Sequence, residues 1–140
     1  KQYAESTSLK NVIFLPYQDR DRLTYTLTAA DVALISLEQG VEGLAVPCKL
    51  YGIMAAGVPF VANVPDKSEV AMVAKEASCG ICVPAKDSKA LAEAILYYYD
   101  NPAERLKAGK NARTEFEKKY TLDKIADRYL QVLSHNDYKN

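Results

Sequence analysis

Four short apolar runs, each of four or five residues, alternate along this chain with stretches whose apolar residues recur every three or four positions. The runs are Asn11–Leu15, Val32–Ile35, Val58–Ala62 and Gly80–Val83. Strands this short, with little polar alternation, must be covered on both faces, and that requires helices above and below a parallel sheet. The intervening segments supply them. Leu23 and Leu27 sit one helical turn apart between Asp19 and Thr28. Lys49–Ala56 follows Pro47 and is stopped by Gly57. Ser68 is a good helix cap, with Glu69 in the first turn and Val70, Val73 and Ala74 spaced for burial. From Asp87 to Asp100 a helix places Leu91, Ala94, Ile95 and Tyr98 on one face, and Asn101-Pro-Ala-Glu104 reads as a cap, a first-position proline and a capping-box acid. A last helix from Thr121 aligns Ile125, Tyr129, Val132 and Leu133. The expected fold is therefore a Rossmann-like α/β domain: an open four-stranded parallel sheet with helices on both faces, ending in an all-helical C-terminal segment.

At 140 residues the chain fits one domain, large enough to bury about two thirds of its unfolded surface. Its 18 basic and 18 acidic residues cancel, which argues against a nucleic-acid binder. Residues 102–140 are mildly basic, with nine basic and six acidic side chains, a split that reflects solvated helix faces rather than a lipid surface. The longest uncharged stretch, residues 50–65, is interrupted by Gly52, Gly57 and Pro59 and is too short to cross a bilayer. The first residues lack the apolar core of a signal peptide, and three cysteines suit a reducing compartment better than a disulfide framework. The chain opens on Lys1 rather than methionine, so a piece of a longer protein is expected.

In open parallel sheets, ligands bind outside the carboxyl ends of the strands. Of the loops that leave those ends, the one from Ser36 to Cys48 is the most unusual. Gly40 and Gly43 allow close backbone approach, and the loop runs directly into a helix start bearing Lys49. A helix start with unpaired N–H groups and a mobile ammonium favours a phosphate or diphosphate.

The segment from Pro47 to Ala62, Pro-Cys-Lys-Leu-Tyr-Gly-Ile-Met-Ala-Ala-Gly-Val-Pro-Phe-Val-Ala, resembles the Pro-Ser-Lys-x-Tyr/Phe-Glu-x-Met-Ala-Ala-Gly-x-Pro-Val-Val segment of family 4 (group 1) glycosyltransferases with the GT-B fold. Supporting pieces follow the family's order: Asn-Val-Ile-Phe-Leu-Pro16, Ala-Ala-Asp-Val-Ala-Leu34, Cys-Gly-Ile-Cys-Val-Pro84, Leu-Ala-Glu-Ala-Ile95 and Tyr-Thr-Leu-Asp123. The resemblance implies a retaining transfer of a sugar from a nucleoside-diphosphate sugar to an acceptor hydroxyl, in surface polysaccharide or glycolipid synthesis. It covers the C-terminal, donor-binding domain, so residues 1–140 would be most of that domain, without its first strand and glycine-rich loop and without the N-terminal acceptor domain. Such a piece alone should not turn over.

Matched by position, Lys49 and the N–H groups around Cys48 would hold the donor diphosphate and neutralise the leaving group without a metal or other cofactor. Glu42, Gly43 and Leu44 would contact the donor sugar. Tyr17 and Gln18 would lie at the nucleobase, uridine or guanosine. The resemblance also implies a cytoplasmic parent, with possible association at the inner membrane face, a sugar or lipid-linked acceptor, and no nucleic-acid partner. Two departures stand out: Gly52 occupies the position of the family's second glutamate, with Leu44 eight residues before it, and Cys48 replaces serine. A GT-B nucleotide-sugar epimerase, with Glu42, Asp66 and Glu69 as acid/base candidates, and a non-catalytic nucleotide-binding module are the alternatives.

Cys79-Gly-Ile-Cys82 has the spacing of a redox or zinc pair, but it enters a strand rather than opening a helix and has no second pair, so buried thiols account for it better. His135, the only histidine, is expected to be solvated in the helical tail, which leaves no catalytic triad within the chain. Of Tyr97, Tyr98 and Tyr99, one should pack inwards and the others face a surface.

Overall fold

The computed structural model describes residues 1–38, 40 and 47–135. Among these, three strands form one parallel sheet in the order β1-β2-β3: β1 Ala33–Ser36, β2 Phe60–Asn63 and β3 Gly80–Val83. The register is continuous, with Ala33, Phe60 and Gly80 side by side at the amino ends and Ser36, Asn63 and Val83 at the carboxyl ends. Pro59 stands just before β2, where it owes the ladder no donor, and its carbonyl accepts from the Ala33 N–H at 2.9 Å.

The helices are α1 Gln2–Ser6, α2 Leu23–Thr28, α3 Lys49–Ala55, α4 Glu69–Ala77, α5 Ser88–Asp100, α6 Pro102–Lys119 and α7 Leu122–His135. Period-two alternation along β2 sorts them into layers. Phe60 and Ala62 point into a cluster with Leu50, Ile53 and Met54 of α3 and Val70, Val73 and Ala74 of α4. Val61 points the other way, into a cluster with Ala94 and Tyr98 of α5. Helix α6 closes the side of both layers, with Ala112 in the first cluster and Ala108 in the second. The expected two-faced Rossmann-like sheet is thus present.

Most punctuation falls where residue chemistry puts it. Helix α3 ends in a Schellman turn: Gly57, at φ +69°, donates to the Met54 carbonyl at 3.0 Å, and Val58 donates to Ile53 at 3.2 Å. The buried Ser68 hydroxyl accepts from the Ala71 N–H at 3.2 Å, and Asp87 accepts from Ala90 at 2.9 Å, capping α4 and α5. Tyr98 alone of its run is buried.

Four expectations need correction. The run Asn11–Leu15 is not a strand, so the sheet has three strands and not four. Its apolar side chains stay exposed, Ile13 at 80% and Leu15 at 71%, because no neighbouring strand pairs with it. Strand preference reflects a fit to a half-buried pleated surface, and without that surface it produces nothing. The span Asp19–Thr28 divides into a 3-10 turn, Arg20–Arg22, and the six-residue α2. Asn101 does not cap α6: its side-chain amide donates back to the Tyr97 carbonyl at 2.8 Å and closes α5 instead. Helix α7 forms as expected, but its stripe does not become core, with Tyr129, Val132 and Leu133 all more than 60% exposed.

Gly80 is the tightest point of the sheet. A Cβ there would lie 2.6 Å from the Phe60 ring and 2.8 Å from the Phe60 carbonyl oxygen. Gly80→Ala is expected to lower unfolding stability by about 1–3 kcal/mol in urea titrations, since the clash meets backbone and a buried ring. Lys89→Ala, on the exposed side of α5, should stay within about 0.5 kcal/mol of the parent.

Candidate functional site at the carboxyl edge of the sheet

The carboxyl edge is organised by the end of β2. The Asn63 carbonyl accepts from the Leu37 N–H at 3.1 Å, drawing in the segment that leaves β1. Its side-chain oxygen accepts from the Lys86 N–H at 3.0 Å, which holds the turn between β3 and α5, where Lys86 has φ +68°. One residue therefore ties together the exits of all three strands. Helix α3 starts at this edge because the loop after β1 leads into it, and α4 starts beside it because the loop after β2 does the same.

The two helix starts differ in charge. Acids occupy the first turns of α4 (Glu69), α6 (Glu104) and α7 (Asp123), and Asp87 caps α5, as the positive end of a helix dipole favours. Helix α3 has no acid in its first turn; it is capped by Cys48, whose side chain makes no capping bond, and begins with Lys49. Cys48 and Lys49 are both exposed. A cation at a helix N-terminus is disfavoured by a few tenths of a kcal/mol or more. An anion seated there would relieve this, meeting both the dipole and the ammonium.

One wall of the site was not legible in the sequence. Tyr51, on the second residue pair of α3, packs against Tyr120 at the end of α6, with ring centroids 4.9 Å apart and planes tilted by 48°. Both are half-buried, and burial raises both phenol pKa values, with the nearby Glu69 carboxylate pushing them further in the same direction. These hydroxyls stay protonated at neutral pH and can act as donors. The pair lies 69 positions apart in the sequence, so only the packing of α6 on α3 could reveal it.

The other expected site residues fall in separate places. Tyr17 is 95% exposed, and the Gln18 amide donates to the Pro16 carbonyl at 2.9 Å; Gln18 is half-buried and shares a shallow depression with Arg22 and Tyr25 of the α2 region. Glu42, Gly43 and Leu44 lie outside the described residues. Gly40 adopts φ +86°, a conformation that favours glycine, with open space where a Cβ would be. Gly52, at the position of the family's second glutamate, faces Leu27 of α2, and a Cβ would stand 3.5 Å from the Leu27 Cδ1.

None of the three cysteines forms a disulfide. Burial raises the Cys79 thiol to about 12 and the Cys82 thiol to about 11, and the Cys79 Sγ leans on the Val73 carbonyl at 3.7 Å. Among the described residues no group of three or more His, Cys, Asp or Glu side chains could hold a metal ion. No described helix is long and apolar enough to cross a membrane.

The fold is a parallel Rossmann-like α/β domain whose helix starts gather at one edge, with a lysine-bearing start among them. Comparison with known proteins narrows this. Residues 1–115 match the family described as glycosyl transferases group 1, and the chain belongs to that family. It is 41% identical over 71 residues to a probable glycosyltransferase, WbjE, of Pseudomonas aeruginosa, which covers 51% of this chain and 18% of that protein. It superposes on sucrose-phosphate synthase from Thermosynechococcus elongatus with a TM-score of 0.78 at 23% identity, over 96% of this chain and 32% of the other, which establishes the GT-B type of Rossmann-like fold. The chain thus spans under a third of the length of either relative.

The thiols offer a direct check of this geometry. At pH 8 and native conditions, iodoacetamide should alkylate Cys48 while leaving Cys79 and Cys82 largely unmodified, since a pKa of about 11 leaves roughly one Cys82 in a thousand as thiolate. Peptide mapping by mass spectrometry after denaturation in urea should then find all three labelled. Native labelling of Cys79 at the rate of Cys48 would contradict the packing.

Proposed function

We propose that this chain is the donor-binding portion of a retaining glycosyltransferase, and that the α3 start holds the diphosphate of a nucleoside-diphosphate sugar. The observation that carries the reading is the charge at that helix: an exposed lysine and no acid in the first turn, at the carboxyl edge of a parallel sheet, in a chain of the group 1 family.

In this reading the Lys49 ammonium and the N–H groups around Cys48 face the two phosphates. As the bond from the sugar's anomeric carbon to the phosphate oxygen breaks, negative charge builds on the leaving nucleoside diphosphate, and these donors meet it without reorganising. No metal or other cofactor is assigned to the step. The departing diphosphate is held by protein charge alone. Glu42, Gly43 and Leu44 line the donor sugar, and Tyr17 and Gln18 border the nucleobase of a UDP- or GDP-sugar. Cys48 contributes through its backbone, its thiol being a weaker donor than a serine hydroxyl.

The same proposal makes residues 1–140 most of one domain, completed by an opening strand and by a second domain that carries a sugar or lipid-linked acceptor. Two observations support this: β1 is an outer strand of the sheet, and the strand-like run Asn11–Leu15 is exposed and unpaired among the described residues. The parent would act in surface polysaccharide or glycolipid synthesis, from the cytoplasm and with peripheral access to the inner membrane face. Three cysteines without a disulfide among them suit that compartment.

A nuclear magnetic resonance titration with uridine, guanosine and adenosine diphosphates tests the reading. One of the first two should shift the amides of residues 47–51 saturably, and Lys49→Ala should weaken that binding roughly tenfold or more, the worth of a charge-assisted contact. The absence of saturable shifts with every diphosphate, or an unchanged affinity in Lys49→Ala, would overturn it.

A further inference from the structure

A second cleft among the described residues lies at the opposite end of the sheet. It has a volume of about 310 Å³ and sits between α6 and the two turns that precede β1 and β2. Those turns, at Asp31 and at Gly57 to Pro59, mark the amino ends of the strands, so the cleft is separate from the site proposed above.

Three features give it a chemical character. The first is its floor. Gly109 of α6 presses against the Gly57 carbonyl, and a Cβ on Gly109 would clash with that oxygen, so the helix face is bare at its middle. The second is charge. Arg105, Gly109 and Arg113 follow one another at four-residue intervals on one face of α6, which places the two arginines about 12 Å apart along the axis with the bare glycine between them. Lys110 adds a third cation to the lining, and because Asp31 pairs with Arg105 and Glu117 with Arg113, it is the charge left over.

The third feature is preorganisation. The Arg105 Nη2 bonds the Asp31 Oδ1 at 3.2 Å, and the Arg105 side chain is only 23% exposed. Arg113 donates from Nη1 to the Ala55 carbonyl and from Nε to the Glu117 carboxylate at 2.7 Å. Each guanidinium has five N–H donors, so these ties fix both planes while leaving further donors on each. Lys110 has no ion-pair partner among the described residues. Val58, Pro59 and Leu106 supply an apolar side.

We propose that this cleft binds a small organic phosphate, whose phosphoryl group is taken by Lys110 and the unspent N–H groups of Arg105 and Arg113 and whose carbon body lies on Pro59 and Leu106. Fixed guanidinium planes suit phosphate oxygens better than a lone ammonium does, and the cleft's size matches small-molecule sites. The site does not rest on the proposed transferase reaction, so the two can fail separately.

The test is a titration of the full chain with glucose 6-phosphate, inorganic phosphate and glucose, followed through the amide resonances of Gly57 and Gly109. Glucose 6-phosphate should shift both saturably, inorganic phosphate more weakly, and glucose not at all. Lys110→Glu reverses an exposed charge that makes no contact needed for folding, and should weaken binding at least roughly tenfold. Arg105→Lys keeps charge but loses the fork, and should weaken it less. Three results would each overturn the proposal: no saturable shift at either glycine, shifts reproduced by sodium chloride at equal ionic strength, or equal affinity in Lys110→Glu.

Discussion

The burial of β2 on both faces is the constraint on which everything else hangs. Phe60, Val61 and Ala62 are wholly excluded from solvent, and their alternation gives each layer of helices a surface to pack on. Phe60 does the most. Its ring lies across Gly80, where any side chain would be displaced, so β3 draws close and the α3 and α4 layer closes over the aromatic. Parallel strands lack hairpin turns to align them, so the register must come from such contacts and from the crossover helices. Pro59 reinforces it at the amino end by receiving the Ala33 N–H, and Asn63 does so at the carboxyl end.

That register makes the functional edge. Side-by-side strands end level, so the helices that follow them also begin level, and polar groups from distant parts of the sequence converge there. The α3 start inherits a place beside Glu69 because β1 and β2 are neighbours, and Tyr120 joins because α6 packs antiparallel along α3. Lys49 is then the odd residue of the arrangement: every other long helix places an acid at or next to its start. A lysine at that place is a small cost to helix stability, and an anion bound there, as proposed above, would offset it.

How far the sequence could be read follows from the range of the interactions involved. Local chemistry was legible: the Gly57 stop, the Ser68 and Asp87 caps, the buried Tyr98 and the strand cores at Ile35, Val61 and Val83 all depend on residues within a turn or two. Long-range pairing was not. Asn11–Leu15 has the composition of a strand, yet a strand is a relation between two segments, and no described strand pairs with it. The α7 stripe fails for the same reason, since amphipathicity announces a face to be covered without naming the cover. Asn101 shows the local version of this limit. It stands between two helix ends and can serve either, and the nearer Tyr97 carbonyl takes its amide. Of the candidate site, Lys49 and Cys48 were readable from motif and spacing, whereas the Tyr51–Tyr120 wall needed the fold.

Helix α3 connects the two ends of the sheet. Its seven residues span only about 10 Å, from the lysine-bearing start to the Schellman turn at Gly57. Arg113 places a guanidinium on the Ala55 carbonyl at the negative end of that helix, where a cation is favoured, and at the same time stands in the wall of the cleft. Any anion that drew Arg113 away would weaken the cap on the α3 C-terminus, and any anion at Lys49 would strengthen the other end. The helix itself is held by Leu50, Ile53 and Met54, all buried against Phe60, so it moves as a rigid piece or not at all. Coupling between the two ends would therefore require a shift of α3 against the sheet, and the close seat of Gly109 on the Gly57 carbonyl leaves little room for one. The packing that aligns the strands thus also keeps the chemistry at the two ends independent.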